Sequence, residues 1–151
     1  MADKRDEGGG LAPETRAITA GRASNQSALA PILWATTTFT YDTVDEGRRL
    51  ATAAGTERFY TRYGNPTINA FEETIAELEG AEACRAFASG MGAISAVVLG
   101  LCSTGDHIVA QRQIYAGTQL LLQTMCPRFG IDVTFVDGTE TGAFAAAIRP
   151  G

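Results

Sequence analysis

Apolar and polar positions follow two different periods along this chain, and the changes of period mark its elements. In NPTINAFEETIAELEG, Ile68, Phe71, Ile75 and Leu78 recur every three or four residues, while Glu72, Glu73, Glu77 and Glu79 turn mostly outward. Asn65 can cap this helix. Pro66 suits the first helical position, where its missing N–H has no partner to lose, and Gly80 is a natural stop. A shorter helix is expected over residues 44–54, ended by Gly55. Downstream, the apolar runs at 83–88 (ACRAFA), 107–111 (HIVAQ) and 131–137 (IDVTFVD) read as strands. Helices are expected over 89–101, over 117–129 (broken near its end by Pro127 and closed by Gly130) and over 139–149. Strands that alternate with helices at these distances require right-handed crossovers, hence an α/β fold with a mainly parallel sheet flanked by helices. No internal repeat is visible.

The ends differ from this middle. Residues 1–14, MADKRDEGGGLAPE, are polar and glycine-rich and are expected to be a disordered tail. Residues 15–56 read as an N-terminal arm, rich in Thr, Ser and Ala and extended up to Thr43, lying against something else. Residues 57–151 carry the alternating pattern, which stops at Pro150-Gly151 directly after a helix; a fragment of a larger domain is expected.

Composition narrows the function classes. A formal net charge of −5 and a pI near 4.8 leave no basic stripe to displace counterions, which argues against a nucleic-acid partner. No apolar run is long enough for a membrane span, and GGGLAP is not a signal segment. Cys84, Cys102 and Cys126 are odd in number and lack CxxC spacing, as expected of reduced thiols in the cytoplasm. Lys4 is the sole lysine and His107 the sole histidine, so chemistry needing a buried amine or several imidazoles cannot be completed by these residues.

Ligands of an open parallel sheet bind beyond the carboxyl ends of its strands. The first such end is FASGMGAIS. Small residues at Ser89-Gly90-Met91-Gly92 let backbone approach a ligand, and the first N–H groups of the following helix suit a phosphate. A close-packed strand–helix turn, with glycines for steric reasons, explains the same residues. A dinucleotide fingerprint fits poorly: Gly90 and Gly92 supply two glycines, but Ser95 stands at the third position, and Asp106 lies too near and in a turn. The second end holds Tyr115, which can stack on a flat cofactor ring and move a proton through its phenol, or can simply cover the sheet edge. His107 reads as structural. In ERFYTRYGNPT, Tyr60 and Arg62 share a spacing of two and point to one side of an extended segment. They can donate to a phosphate, or form a surface arginine beside a packed tyrosine.

In order and spacing, YTRYGNPT, SGMGAIS, GDHIV and IYAGT resemble the Cys/Met trans-sulfuration family of pyridoxal-phosphate enzymes, with similarity from about Thr15 onward. The resemblance implies the first part of the large cofactor domain of an aspartate-aminotransferase-like fold. It implies γ-elimination or γ-replacement on sulfur-containing or homoserine-derived amino acids, with pyridoxal 5'-phosphate as cofactor. It also implies a homo-oligomer, a dimer of dimers, whose site is shared between subunits. Tyr60 and Arg62 then match the pair reaching the cofactor phosphate of the adjacent subunit. Ser89, Gly90 and Met91 match the phosphate cradle, and Tyr115 matches the catalytic residue that stacks on the pyridine ring.

Two departures accompany the likeness. The family's cofactor-linking lysine and its pyridine-nitrogen aspartate lie beyond Gly151, so residues 1–151 alone are expected to be inactive. Gly117 stands where well-known methionine gamma-lyases carry cysteine, which weakens that particular assignment. A non-catalytic relative that keeps the fold and the oligomer interface is the alternative; a nucleotide-binding domain is a weaker one.

Overall fold

A computed structural model describes residues 10–53 and 58–149. Lys4, most of the expected tail, Gly55 and the final Pro150-Gly151 lie outside the described residues. The chain divides into two compact units, Met1–Ala86 and Phe87–Gly151.

The first unit is organised by the helix Pro66–Glu79. Helix α1 spans Pro13–Thr19, α2 spans Val44–Thr52 and α3 spans Pro66–Glu79. The cap of α3 is the one expected: Asn65 Oδ1 accepts from Thr67 N–H at 2.9 Å, and Gly80 adopts φ 65° with its N–H directed to the Ala76 and Glu77 carbonyls. Asn65 is only 3% exposed, and its Nδ2 also donates to the Trp34 carbonyl at 3.0 Å. Thr67 Oγ1 donates to the Ile32 carbonyl and accepts from Trp34 N–H. Hydrogen bonds therefore lay the arm along the N-terminus of α3.

The arm is less extended than its composition indicates. Pro13 starts α1 inside the segment expected to be disordered, because proline at a first helical position is preorganised for the turn. Arg16 Nη1 then donates to the Glu77 carbonyl at 3.0 Å, placing a cation at the C-terminal end of α3. A 3-10 turn, Ala23–Asn25, follows Gly21. Gly21 has φ +67°, and a Cβ there would run into the Ala70 carbonyl and come 2.8 Å from Thr74 Oγ1. Only glycine fits that approach.

The outward face expected for the α3 glutamates holds only in part. Phe71 is 56% exposed, whereas Glu72 is 8% exposed. Glu72 turns inward because two donors meet it there: Arg85 Nη1 at 2.8 Å and Ala86 N–H at 2.7 Å. Among the described residues the run at 83–88, expected as a strand, joins no ladder, and its Ala86 N–H goes to this carboxylate. Replacing Glu72 by alanine removes the charged acceptor of both the Arg85 and the Ala86 hydrogen bonds. We expect a loss of about 1–3 kcal/mol of stability in chemical denaturation. Glu72→Gln, which keeps an acceptor oxygen, should lose less.

The second unit carries the sheet. Strand β1 (His107–Gln111) and strand β2 (Asp132–Val136) run parallel, with His107 opposite Asp132 and Gln111 opposite Val136. Helix α4 spans Gly90–Leu101, α5 spans Ala116–Leu120 and α6 spans Thr141–Ala147. The helix expected over 117–129 is regular only at its start, and Pro127 falls in a 3-10 turn at its end. Helix α5 passes into a π turn, Leu121–Met125, and a 3-10 turn, Cys126–Phe129, before Gly130 closes it at φ 71°. Proline lacks the N–H an α-helix would use, and the change of hydrogen-bond pattern absorbs that loss. The core is Leu122, Cys126 and Ile131, flanked by Val98, Cys102, Ile108, Val133 and Phe135. All three cysteines are free thiols, and burial raises the pKa of the Cys126 thiol. His107 Nε2 lies 2.7 Å from Thr134 Oγ1 across the two strands, as a structural histidine should.

Candidate cofactor site

The turn leading into α4 has the donor arrangement its sequence indicates. Ser89 is in extended conformation and its Oγ accepts from Gly92 N–H at 3.0 Å, while Ala93 N–H starts the helical ladder on the Ser89 carbonyl. The Gly90 and Met91 N–H groups, ahead of that ladder, have no acceptor among the described residues. They point from the positive end of a twelve-residue helix. A Cβ built at Gly90 would meet nothing within 4 Å, so no neighbouring atom demands glycine there. Its open flank is where a group from outside the chain can come close to backbone.

Tyr115 occupies the N-cap of α5, just beyond the carboxyl end of β1, and is 71% exposed. Its ring lies against Gly117: a Cβ at Gly117 would sit 2.6 Å from Tyr115 Cε1 and 3.2 Å from Met91 Sδ. Met91 Sδ also receives the Thr118 hydroxyl at 3.6 Å. The structure thus brings Ser89, Gly90, Met91 and Tyr115 to one place in the second unit. Thr118 and the seat at Gly117 escape sequence reasoning, because a contact across 27 residues leaves no periodic trace. At the ends of both strands a glutamine-rich network adds a further feature that sequence reasoning missed. Gln113 Oε1 accepts from Gly138 N–H, and Asp137 accepts from Thr139, whose hydrogen bonds hold that carboxyl below its ordinary pKa.

Tyr60 and Arg62 belong to the first unit. Tyr60 forms an antiparallel bridge with Thr38, and Tyr63 N–H turns back to the Tyr60 carbonyl at 2.8 Å. The segment is therefore a turn rather than the extended run expected, yet the two side chains still share a side. The Arg62 guanidinium carbon stands 5.1 Å from the Tyr60 ring centroid and 5.4 Å from that of Tyr63. Among the described residues no carboxylate pairs with it. A guanidinium held beside aromatic rings without a carboxylate partner still has N–H donors to offer an anion. Arg58 is used differently, 4.7 Å above the Trp34 ring. Among the described residues no cluster of metal-ligating side chains occurs, and no helix is long and apolar enough to cross a membrane.

These features are those of an α/β cofactor-binding protein, and comparison with known proteins gives the family. The chain belongs to the Cys/Met metabolism PLP-dependent enzymes, whose family description matches residues 14–151. It is 38% identical over 137 residues to an L-methionine gamma-lyase of Treponema denticola, an alignment covering 90% of this chain and 34% of the relative. It is 37% identical to an O-succinylhomoserine sulfhydrylase of Pseudomonas aeruginosa, covering 93% of this chain and 35% of that protein. The crystal structure of cystathionine gamma-lyase from Lactobacillus plantarum superposes with a TM-score of 0.75 at 33% identity, over 92% of this chain and 34% of that one. The chain spans about a third of the length of the relatives it matches. The fold is therefore that of trans-sulfuration enzymes, and pyridoxal phosphate is the family's cofactor.

Proposed function

We propose that these residues serve a complete protein that catalyses γ-elimination or γ-replacement on sulfur-containing or homoserine-derived amino acids. The observation that carries this reading is the pair of free amide donors at Gly90 and Met91, set beside Tyr115 in a chain of this family. The names of its relatives, a gamma-lyase and a sulfhydrylase, mark the two reaction types in view.

The donor set fits a phosphate ester joined to a flat ring. The Gly90 and Met91 N–H groups would hold the phosphate, and Ser89 keeps the turn closed through its bond to Gly92. The exposed Tyr115 ring offers a stacking face, and its phenol would take and return a proton beside the substrate. Tyr60 and Arg62 would reach the same phosphate group from an adjacent subunit, the Arg62 guanidinium carbon standing 5.1 Å and 5.4 Å from the Tyr60 and Tyr63 ring centroids. Once bound, the cofactor supplies an electron sink that stabilises carbanions next to the amino group. Residues 15–56 act as the arm and residues 57–151 as the first part of the large domain of a cytoplasmic homo-oligomer, a dimer of dimers.

Titrating the complete protein with pyridoxal phosphate and with NAD tests this. Visible absorbance growing to one cofactor per subunit, with no dinucleotide binding, is expected. Preference for NAD would defeat it. A protein that takes neither ligand yet assembles would point to the non-catalytic alternative, which the single Lys4 of these residues keeps in view.

A further inference from the structure

Met91 is placed in the site by its backbone, but its side chain makes contacts that no phosphate cradle needs. It leaves the N-terminus of α4, is half-buried, and ends against the first turn of α5. There Sδ is 3.6 Å from the Thr118 hydroxyl, and 3.2 Å from where a Gly117 Cβ would stand. The Tyr115 ring lies 2.6 Å from the same point. Thioether and ring therefore both crowd the bare glycine, next to the donor turn.

We infer that the Met91 side chain is a positioning residue: its thioether, oriented by Thr118 and laid against Gly117, sets the spacing between the amide donors and the Tyr115 ring. This rests on the pyridoxal-phosphate reading given above. The physical reason is that the cofactor has a fixed distance between its phosphate and its ring. The backbone fixes where the phosphate is gripped, whereas the exposed Tyr115 ring has few contacts of its own to fix where it stacks. A thioether is a weak acceptor on a flexible, polarisable chain, so one hydroxyl suffices to select its rotamer. Leucine has similar bulk but no acceptor. Thr118→Val keeps the shape and removes the donor.

The test uses the complete protein loaded with pyridoxal phosphate, and reads cofactor affinity, visible circular dichroism and steady-state kinetics for Met91→Ala, Met91→Leu, Thr118→Val and Thr118→Ser. The visible dichroism reports how the bound ring is held and does not depend on turnover. Met91→Ala is expected to lose most of that band and to lower kcat by about 100-fold, while affinity, set by backbone donors, changes far less. Leucine should restore the greater part, Thr118→Val should reproduce a smaller share of the defect, and Thr118→Ser should match the parent protein. An unchanged band in both Met91→Ala and Thr118→Val overturns the inference. So does a fall in affinity as large as the fall in kcat, which would place Met91 in phosphate binding alone. If Met91→Ala fails to fold, the Thr118→Val and Thr118→Ser pair decides by the same criterion. Absence of any visible band in the unmodified protein would instead defeat the cofactor reading itself.

Discussion

Replacing Arg62 with alanine in the complete protein should lower its affinity for pyridoxal phosphate by roughly 10- to 100-fold, while the protein without cofactor unfolds at an almost unchanged temperature. The size follows from the contact proposed. A hydrogen bond to a charged group is worth about 1.5–3 kcal/mol, and each 1.4 kcal/mol is a factor of ten in affinity. The small effect on folding follows from geometry: the guanidinium lies on the exposed Tyr60 and Tyr63 rings and has no carboxylate partner among the described residues. A stacked surface cation contributes about 0.5–1 kcal/mol at such sites. Arg62→Lys should recover only part of the affinity, because an ammonium cannot present two coplanar donors. If Tyr60 and Arg62 serve the neighbouring subunit, mixing Arg62→Ala with Gly90→Val should regenerate a fraction of intact hybrid sites. Equal affinity in Arg62→Ala would remove the arginine from the site, and mixtures that never recover binding would confine the site to one subunit.

What the sequence makes legible is what is local. Helix α3 is readable to the residue, because Asn65, Pro66 and Gly80 each act on backbone groups within one turn. Strands β1 and β2 are readable from short apolar runs between turns. The run at 83–88 has the same look and forms no strand among the described residues, because pairing depends on a remote edge that the run itself does not reveal. Glu72 itself misleads for the same reason, since its inward turn depends on Arg85 thirteen positions away. The start of α1 is obscured by the polar tail around it, although Pro13 alone marks the position. In the site, the Ser89 cap and open Gly90 follow from a strand–turn–helix reading. The seat of Arg62 beside two rings and the crowding of Gly117 by Met91 and Tyr115 do not, since each arises from tertiary placement of side chains.

Gly117→Ala should separate stability from catalysis, moving them in opposite directions. Gly117 lies in the first turn of α5 without a positive φ, so alanine is compatible with its backbone. Helix propensity and the reduced freedom of the unfolded chain then favour the variant by about 0.5–1 kcal/mol. The added methyl group cannot coexist with the present Tyr115 ring, whose Cε1 would be 2.6 Å away, and it also crowds Met91 Sδ at 3.2 Å. The ring, 71% exposed, can swing aside at little cost to folding. A catalytic phenol moved by about 1 Å costs on the order of 100-fold in rate. The expected result is an unchanged or slightly raised melting temperature with kcat reduced by about that factor. Retention of full kcat in Gly117→Ala would mean that Tyr115 works from a different pose, and would detach the bare glycine from the chemistry.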